Sequence, residues 1–195
     1  MFNHKIAIAD IINSYSTVSS DSITELSHYM EFMTIPKDTI FIKTDSYNTY
    51  DYFLLKGISR SFIFNLKAED VTISFFQDKT ILTPNVARTF KGRSTLNFEA
   101  LTDIEIARFE AMELVKLMRE RSEMRNFANA VLQKELILKS NKELDNASLT
   151  AKQRLLKFRE QFDSLENLIP HPMIASYLGI TKISLSRIRR DLANH

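Results

Sequence analysis

Between residues 34 and 109, short runs of apolar, β-branched and aromatic residues recur at 40–42, 52–55, 58–64, 71–76, 96–101 and 104–109. Several alternate with the period of two that places successive side chains on opposite faces of a strand. Ser59 and Ser61 oppose Phe62 and Phe64, Thr72 and Ser74 oppose Val71, Ile73 and Phe75, and Glu105 separates Ile104 from Ile106. Turn-forming clusters punctuate the runs at Pro36-Lys37-Asp38, Lys56-Gly57, Ala68-Glu69-Asp70 and Lys91-Gly92-Arg93. Many short strands at such spacing predict an antiparallel sandwich or barrel.

On either side the spacing turns helical. Ser22-x-x-Glu25 reads as a capping box ahead of Ile23, Leu26 and Met30, predicting a short helix to about Phe32. After Phe109, Met112, Val115 and Met118 open a long helix in which Met124, Phe127, Val131 and Leu138 form an apolar stripe, with polar Arg125, Asn129 and Lys134 between them. That stripe must be buried against the strands or against a second copy of the chain. Residues 141–148 are polar and read as a hinge. Thr150-x-x-Gln153 is a second capping box, opening a helix that buries Leu155, Leu156, Phe158 and Phe162.

The chemistry concentrates in residues 170–192. Pro172 suits the first turn of a helix, where no amide donor is needed. Ala175 is small enough for a close helix crossing, and Gly179 fits the left-handed residue that ends the helix. Thr181 then caps a second helix with Leu185, Ile188 and Leu192 as its buried stripe. These offsets are the register of a helix-turn-helix. At about 100° per residue, the opposite face of the second helix holds Ile183, Ser186, Arg187 and Arg190, with Lys182 beside them in the first turn. A recognition helix presents such a face to the DNA major groove. Arg187 suits a guanine edge, Ile183 a thymine methyl, and Ser186 and Arg190 the phosphates.

Charge sharpens this reading. The net +2 is unevenly spread: residues 1–149 carry 18 Lys/Arg against 20 Asp/Glu, residues 150–195 carry 8 against 4. A basic segment behind a slightly acidic body suits a polyanion-binding module. The 195 residues, 44% apolar and 26% charged, suffice for a core without staples. Cysteine is absent, which excludes disulfides, a thiolate nucleophile and a cysteine-held iron–sulfur cluster. Three glycines and no GxGxxG or GxxxxGK[ST] argue against a phosphate-binding loop. No run reaches the roughly 18 apolar residues of a membrane span. The start, Met1 to Ala7, breaks at Asp10 without a cleavage pattern, so a cytoplasmic protein is expected.

The order of roll, long helix, hinge and helix-turn-helix resembles the Crp/Fnr family of bacterial transcription regulators. Ile174-Ala175-Ser176-Tyr177-Leu178-Gly179-Ile180-Thr181 with Leu185-Ser186-Arg187-Ile188-Arg189 looks like its Bacteroidetes-type branch, and residues 52–57 and 99–103 are similar to that branch's roll. The resemblance implies an α+β fold in three parts. Residues 1–110 form an antiparallel β-roll sensor domain resembling a cyclic-nucleotide-binding domain, and 111–148 a long dimerisation helix and hinge. Residues 149–195 form a DNA-binding domain, a winged-helix-type helix-turn-helix with a reduced wing. Met124, Phe127, Val131 and Leu138 are then the dimer stripe. Thr181, Lys182, Ile183, Ser186, Arg187 and Arg190 are the DNA-binding set, with Lys182, Ile183 and Arg187 at the three base-reading positions. Ile183 replaces the glutamate common there. The expected partners are double-stranded DNA on an inverted repeat, a second copy of the chain and RNA polymerase, with no cofactor and no membrane.

The effector pocket departs from the family pattern. Thr83-Pro84 stands where a Gly-Glu pair holds the ribose, so tight cyclic AMP binding is not expected. Arg93-Ser94 looks like the phosphate-binding pair, and Arg88, Lys91 and Arg93 are basic candidates for an acidic effector, which is otherwise unknown or absent. Two other classes compete. A roll can house a metal as cupin-like enzymes do, but His4, His28, His171 and His195 all fall outside the predicted strands, and HxH, HExxH and GxSxG do not occur. A regulatory roll whose helix-turn-helix docks protein is the other.

Overall fold

The computed structural model describes residues 4–193. Helices α1 (His4–Asn13) and α2 (Ser20–His28) precede the strands β1 (Glu31–Ile35), β2 (Ile40–Ile42), β3 (Tyr50–Lys56), β4 (Ser59–Phe64), β5 (Asp70–Phe76) and β6 (Thr80–Ile81). The short helix α3 (Asn85–Arg88) leads into β7 (Thr89–Phe90), β8 (Arg93–Ser94), β9 (Asn97–Ala100) and β10 (Ile104–Glu110). Helices α4 (Ala111–Glu120), α5 (Ser122–Ser148), α6 (Ala151–Gln161), α7 (Leu165–Leu168), α8 (His171–Tyr177) and α9 (Lys182–Ala193) complete the described chain. Two four-stranded sheets, ordered β1-β10-β3-β6 and β2-β9-β4-β5, make the roll, with β7-β8 as a separate hairpin. No described helix is long and apolar enough to cross a membrane.

The chain divides into two compact units: the part up to Ser61 together with residues 75–136, and residues 62–74 together with the part from Ile137 onward. In the first unit β3 and β10 are buried on both faces. Tyr52 and Leu54 of β3, with Ile104 and Ile106 of β10, join Ile35, Ile42, Phe76, Leu82, Phe98 and Ala100 in the roll interior. The alternate residues Phe53, Leu55, Ala107 and Phe109 pack against Ile8, Ile11, Ile12, Leu26, Leu117, Met124, Phe127 and Val131 from the helices. The period-two pattern thus separates two apolar layers and not core from solvent.

Several expectations change. Ser19, not Ser22, caps α2, its hydroxyl accepting from the Ser22 amide at 3.3 Å. Ser22 is freed to donate to Glu123, which also takes the Ser19 amide at 3.1 Å and the Ser19 hydroxyl at 2.6 Å. These bonds hold the Glu123 carboxyl below its ordinary range. The helix ends at His28 because residues 31–35 pair with β10 as β1, and α1 is an element that the pattern did not predict. The long helix breaks at Arg121, which is extended (φ −130°, ψ 115°) and binds Glu25 and Ser22. In β4, Ser59, Arg60, Ser61 and Phe62 are all buried while Phe64 is exposed, so alternation there does not mark a wet face. Residues 141–148 are helical, and the chain turns only beyond Ser148. Leu156 is exposed. His195 and residues 1–3 lie outside the described residues.

The predicted turns fall where the backbone reverses. Asp38, Gly57, Ala68, Lys91 and Gly92 all have positive φ. Gly57 is the strictest, since its φ is +95° and a Cβ there would lie 2.6 Å from the Asp103 carbonyl oxygen. Gly57→Ala is expected to destabilise the first unit by about 1–3 kcal/mol, read by urea denaturation. A loss below the error of the fit would show that the turn relaxes freely.

Candidate nucleic-acid interface

The second unit is built on local rules. Thr150 forms a reciprocal capping box with Gln153: its hydroxyl accepts from the Gln153 amide at 3.3 Å, and Gln153 Oε1 accepts from the Thr150 amide at 2.9 Å. Leu155 and Phe158 of α6 are buried with Phe162, Leu165, Ile169, Ile174, Ala175, Leu178 and Leu185. Helix α8 starts at His171, with Pro172 in its first turn. It ends in a paired bond pattern: the Ile180 amide reaches the Ala175 carbonyl at 3.0 Å and the Gly179 amide the Ser176 carbonyl at 3.1 Å. Gly179, at φ +66°, permits that turn.

Helix α9 is anchored by Leu185 and capped by Thr181, whose hydroxyl accepts from the Ser184 amide at 3.1 Å. Thr181 is therefore occupied as a cap. Lys182, Ile183, Ser186, Arg187 and Arg190 are all exposed on one side, and Ile183 is 76% exposed. Arg189 is held apart from them: its Nε lies 2.7 Å from Glu166 Oε1, and its Nη1 2.9 Å from His171 Nδ1. Glu166 also takes Arg159 through Nε at 2.5 Å and Nη2 at 3.1 Å, and the hydrogen bond from Arg159 lowers its pKa. Sequence reasoning missed this bridge. Its signal was Glu166 itself, the one carboxylate between Asp163 and Asp191.

A second missed group is Lys142. Its Nζ donates to the Ile73 carbonyl at 2.6 Å and stands 3.7 Å from the centroid of the Tyr177 ring. Burial lowers its pKa from 10.5 to about 8. Burial, and secondarily Asp145, raises Tyr177 from 10.0 to about 12. Both lie within the second unit, to which residues 62–74 also belong.

In the roll, the candidate effector residues have separate partners. Arg88 is 1% exposed; its Nε donates to the Thr83 carbonyl at 3.0 Å and its Nη2 to Asn48 Oδ1 at 3.1 Å and to the Tyr50 carbonyl. Its guanidinium lies 5.4 Å from the Tyr52 ring centroid and 5.6 Å from that of Phe98. Burial lowers its pKa, opposed by the charge of Asp51. Arg93 stacks at 4.2 Å over Tyr47 and binds Asp45. The Ser94 hydroxyl donates to the Leu96 carbonyl at 2.7 Å.

The apolar stripe predicted for dimer contact divides. Met124, Phe127 and Val131 are buried in the chain's own core, so they have no surface to offer a second copy, whereas Leu138 is 46% exposed. The apolar residues that α5 leaves open are Leu132, Leu136, Ile137, Leu138 and Leu144.

No family model and no curated protein matches the sequence. Solved structures share its fold, and its structural neighbours include Crp/Fnr-family regulators. FixK2 from Bradyrhizobium japonicum aligns with a TM-score of 0.73 at 20% identity, over 85% of this chain and 85% of its own. CLP from Xanthomonas campestris, a c-di-GMP-responsive global regulator, gives 0.71 at 12%, over 90% of this chain and 92% of its own. A protein from Eubacterium rectale assigned to the Crp/Fnr family of transcriptional regulators gives 0.70 at 16%, over 90% and 84%. The mixed α+β architecture, a β-roll followed by a helical C-terminal region, is therefore the one expected from the sequence.

The Lys142 environment sets a pH dependence. Unfolding returns Lys142 from about 8 to its ordinary value of 10.5, so the unfolded chain binds more protons between these limits and stability rises with pH across them. Tyr177 acts oppositely above pH 10, where the folded state keeps its phenol proton up to about 12. Urea melts should therefore show the second unit gaining stability from pH 8 to pH 10, with the gain abolished in Lys142→Met. A flat wild-type profile would contradict a buried ammonium.

Proposed function

We propose that the protein is a non-catalytic, sequence-specific DNA-binding transcription regulator that acts as a homodimer on an inverted-repeat operator. The observation that carries this reading is the free face of α9. Lys182, Ile183, Ser186, Arg187 and Arg190 are open to solvent while Arg189 is bound by Glu166 and His171. A basic helix face with one exposed aliphatic residue matches what the major groove offers, a guanine edge and a thymine methyl between phosphates. Lys182, Ile183 and Arg187 read bases in this reading, and Ser186 and Arg190 position the helix on the phosphates.

The dimer face assigned here is not the predicted stripe. At about 100° per residue, Leu132, Leu136, Ile137 and Leu144 fall within one side of α5, turned away from Met124, Phe127 and Val131. Pairing two copies along that side brings two recognition helices to successive grooves about 34 Å apart. RNA polymerase is the partner such a regulator acts on. The roll serves as a sensor domain that does not take cyclic AMP in the usual way. Thr83 and Arg88 are bonded to each other inside it, and Arg93 is engaged by Asp45 and Tyr47.

The deciding experiment selects duplexes from sheared genomic DNA with wild type and Arg187→Ala at two salt concentrations. Wild type should enrich an inverted repeat. Arg187→Ala should lose about 1–3 kcal/mol and relax preference at one position per half-site, while Arg190→Ala weakens all sequences alike and flattens the salt slope. No enrichment at either salt would favour the protein-docking reading. By sedimentation, Leu136→Glu should shift the dimer toward monomer, and an unchanged dimer would remove the α5 face.

A further inference from the structure

Residues 45–48 and the β7–β8 hairpin, all within the first unit, make a small ledge on the roll. Lys91 and Gly92, at φ +51° and +76°, close the hairpin in a two-residue turn. On the other side of β8, the Ser94 amide donates to the Ser46 carbonyl at 2.9 Å and the Asp45 amide to the Ser94 carbonyl at 2.8 Å. The Asn48 amide reaches the Gly92 carbonyl at 3.1 Å. The backbone is thus pinned on both sides of β8.

Register sorts the side chains of this ledge by face. Phe90 lies opposite Arg93 across the hairpin, and Tyr47 lies opposite Arg93 on the other side. Residues directly opposite one another in antiparallel strands share a face, so Tyr47, Arg93 and Phe90 form one row. Their neighbours Ser94 and Thr89 point the other way, where Ser94 is buried and the Thr89 hydroxyl donates to the Asn85 carbonyl at 2.8 Å. The row itself is open: Tyr47 is 72% exposed, Phe90 68% and the Arg93 side chain 43%. The Arg93 guanidinium lies 4.2 Å from the Tyr47 ring centroid, and Lys91 Nζ lies 5.4 Å from that of Phe90. Arg93 gives Asp45 only Nη1. Among the described residues its Nε and Nη2 make no hydrogen bond, and Lys91 makes no ion pair.

Rigid Tyr, Phe and Arg side chains gathered in one place are what protein interfaces bury at their centres. Because the backbone already holds them, little freedom is left to lose on binding. Charge selects the partner. Residues 43–48 and 89–94 hold Lys43, Lys91 and Arg93 against Asp45, so the ledge attracts carboxylates. The exposed Asp45 carboxylate stands 3.5 Å from Arg93 Nη1. It repels a uniform polyanion such as a nucleic-acid strand or an anionic bilayer, whereas a polypeptide can set a donor against it. We propose that the Tyr47–Arg93–Phe90 row, with Lys91 beside it, docks an acidic segment of another protein. That segment sets an apolar side chain against the rings and its carboxylates on Arg93 and Lys91. The surface is separate from the recognition helix and stands or falls without the DNA reading.

The test uses the full chain and labelled dodecamer peptides in which carboxylate number and the presence of one apolar side chain vary independently. Fluorescence anisotropy should show binding by peptides that carry both, weakening as salt is added. Phe90→Ser, Arg93→Gln and Lys91→Asn should each weaken that binding on the order of tenfold, with urea melts unchanged. Asn keeps the turn because it tolerates positive φ. Lys37→Gln, which removes a cation from the β1–β2 turn, should leave binding as it is. Equal binding by all variants, a preference for basic or purely apolar peptides, or no bound peptide would overturn the docking surface. Tighter binding of a single-stranded oligonucleotide or of phosphatidylserine vesicles through the same residues would overturn it too, by giving the row to those partners.

Discussion

The arrangement of the C-terminal unit depends on one buried carboxylate. Glu166 lies in a segment where basic residues outnumber acidic ones, and it takes Arg159 and Arg189 at once. A buried carboxylate is tolerable only when paired, and two guanidiniums from α6 and α9 pair it fully. The same bridge fixes α9 by its back, next to Leu185, while the front stays free of protein partners. Arg189 is thereby assigned to structure, and Arg187 and Arg190, two residues before and one after it, are left to solvent. Sorting adjacent arginines into held and free gives this basic helix one side bound to its own unit and one side open to solvent.

The roll solves a different problem, burying both faces of its central strands. β3 and β10 are each packed on one side by the roll interior and on the other by α1, α2, α4 and the start of α5. Such strands need apolar residues at consecutive positions, which is why residues 52–55 form an unbroken run. Within the interior, Arg88 replaces what would otherwise be apolar volume. It satisfies backbone carbonyls at Thr83 and Tyr50 and lies by the rings of Tyr52 and Phe98. The guanidinium is thus part of the roll's own packing, although its Nη1 is buried without a hydrogen-bond partner among the described residues.

What was legible in the sequence follows from how local the rules are. The helix-turn-helix was readable because Gly179, Thr181 and Thr150 act on backbone groups within five residues of themselves. The main strands were readable because β-branched and aromatic runs are bounded by residues that accept positive φ. Ser22 misled because Ser19 lies three residues earlier with the same capping chemistry, and long-range bonds from Glu123 and Arg121 decide between them. β1 was hidden because Glu31 to Thr34 are exposed, giving no burial alternation to detect. Arg88 and Glu166 were illegible as structural residues, since Asn48 and Tyr50 for the one and Arg189 for the other come from segments that only folding brings near.

The long helix shows how a periodic pattern can be correct and still misassigned. Val131 and Lys142 are eleven residues apart, so they lie within about 20° of one another around α5, with Leu138 between them on the same side. That side is core at Met124, Phe127 and Val131, and it ends in Lys142, buried against Ile73 and Tyr177. The apolar period fades because a lysine takes over the inward position, and the polar stretch that follows looks like a hinge for the same reason. A lysine there is costly in an apolar site but can donate to a strand carbonyl and face a ring at once, which no aliphatic residue can do. The apolar residues on the opposite side, Leu132, Leu136 and Leu144, have no such inward partner. One helix therefore carries a buried apolar side for its own chain and a second apolar side left exposed, and composition alone cannot say which is which.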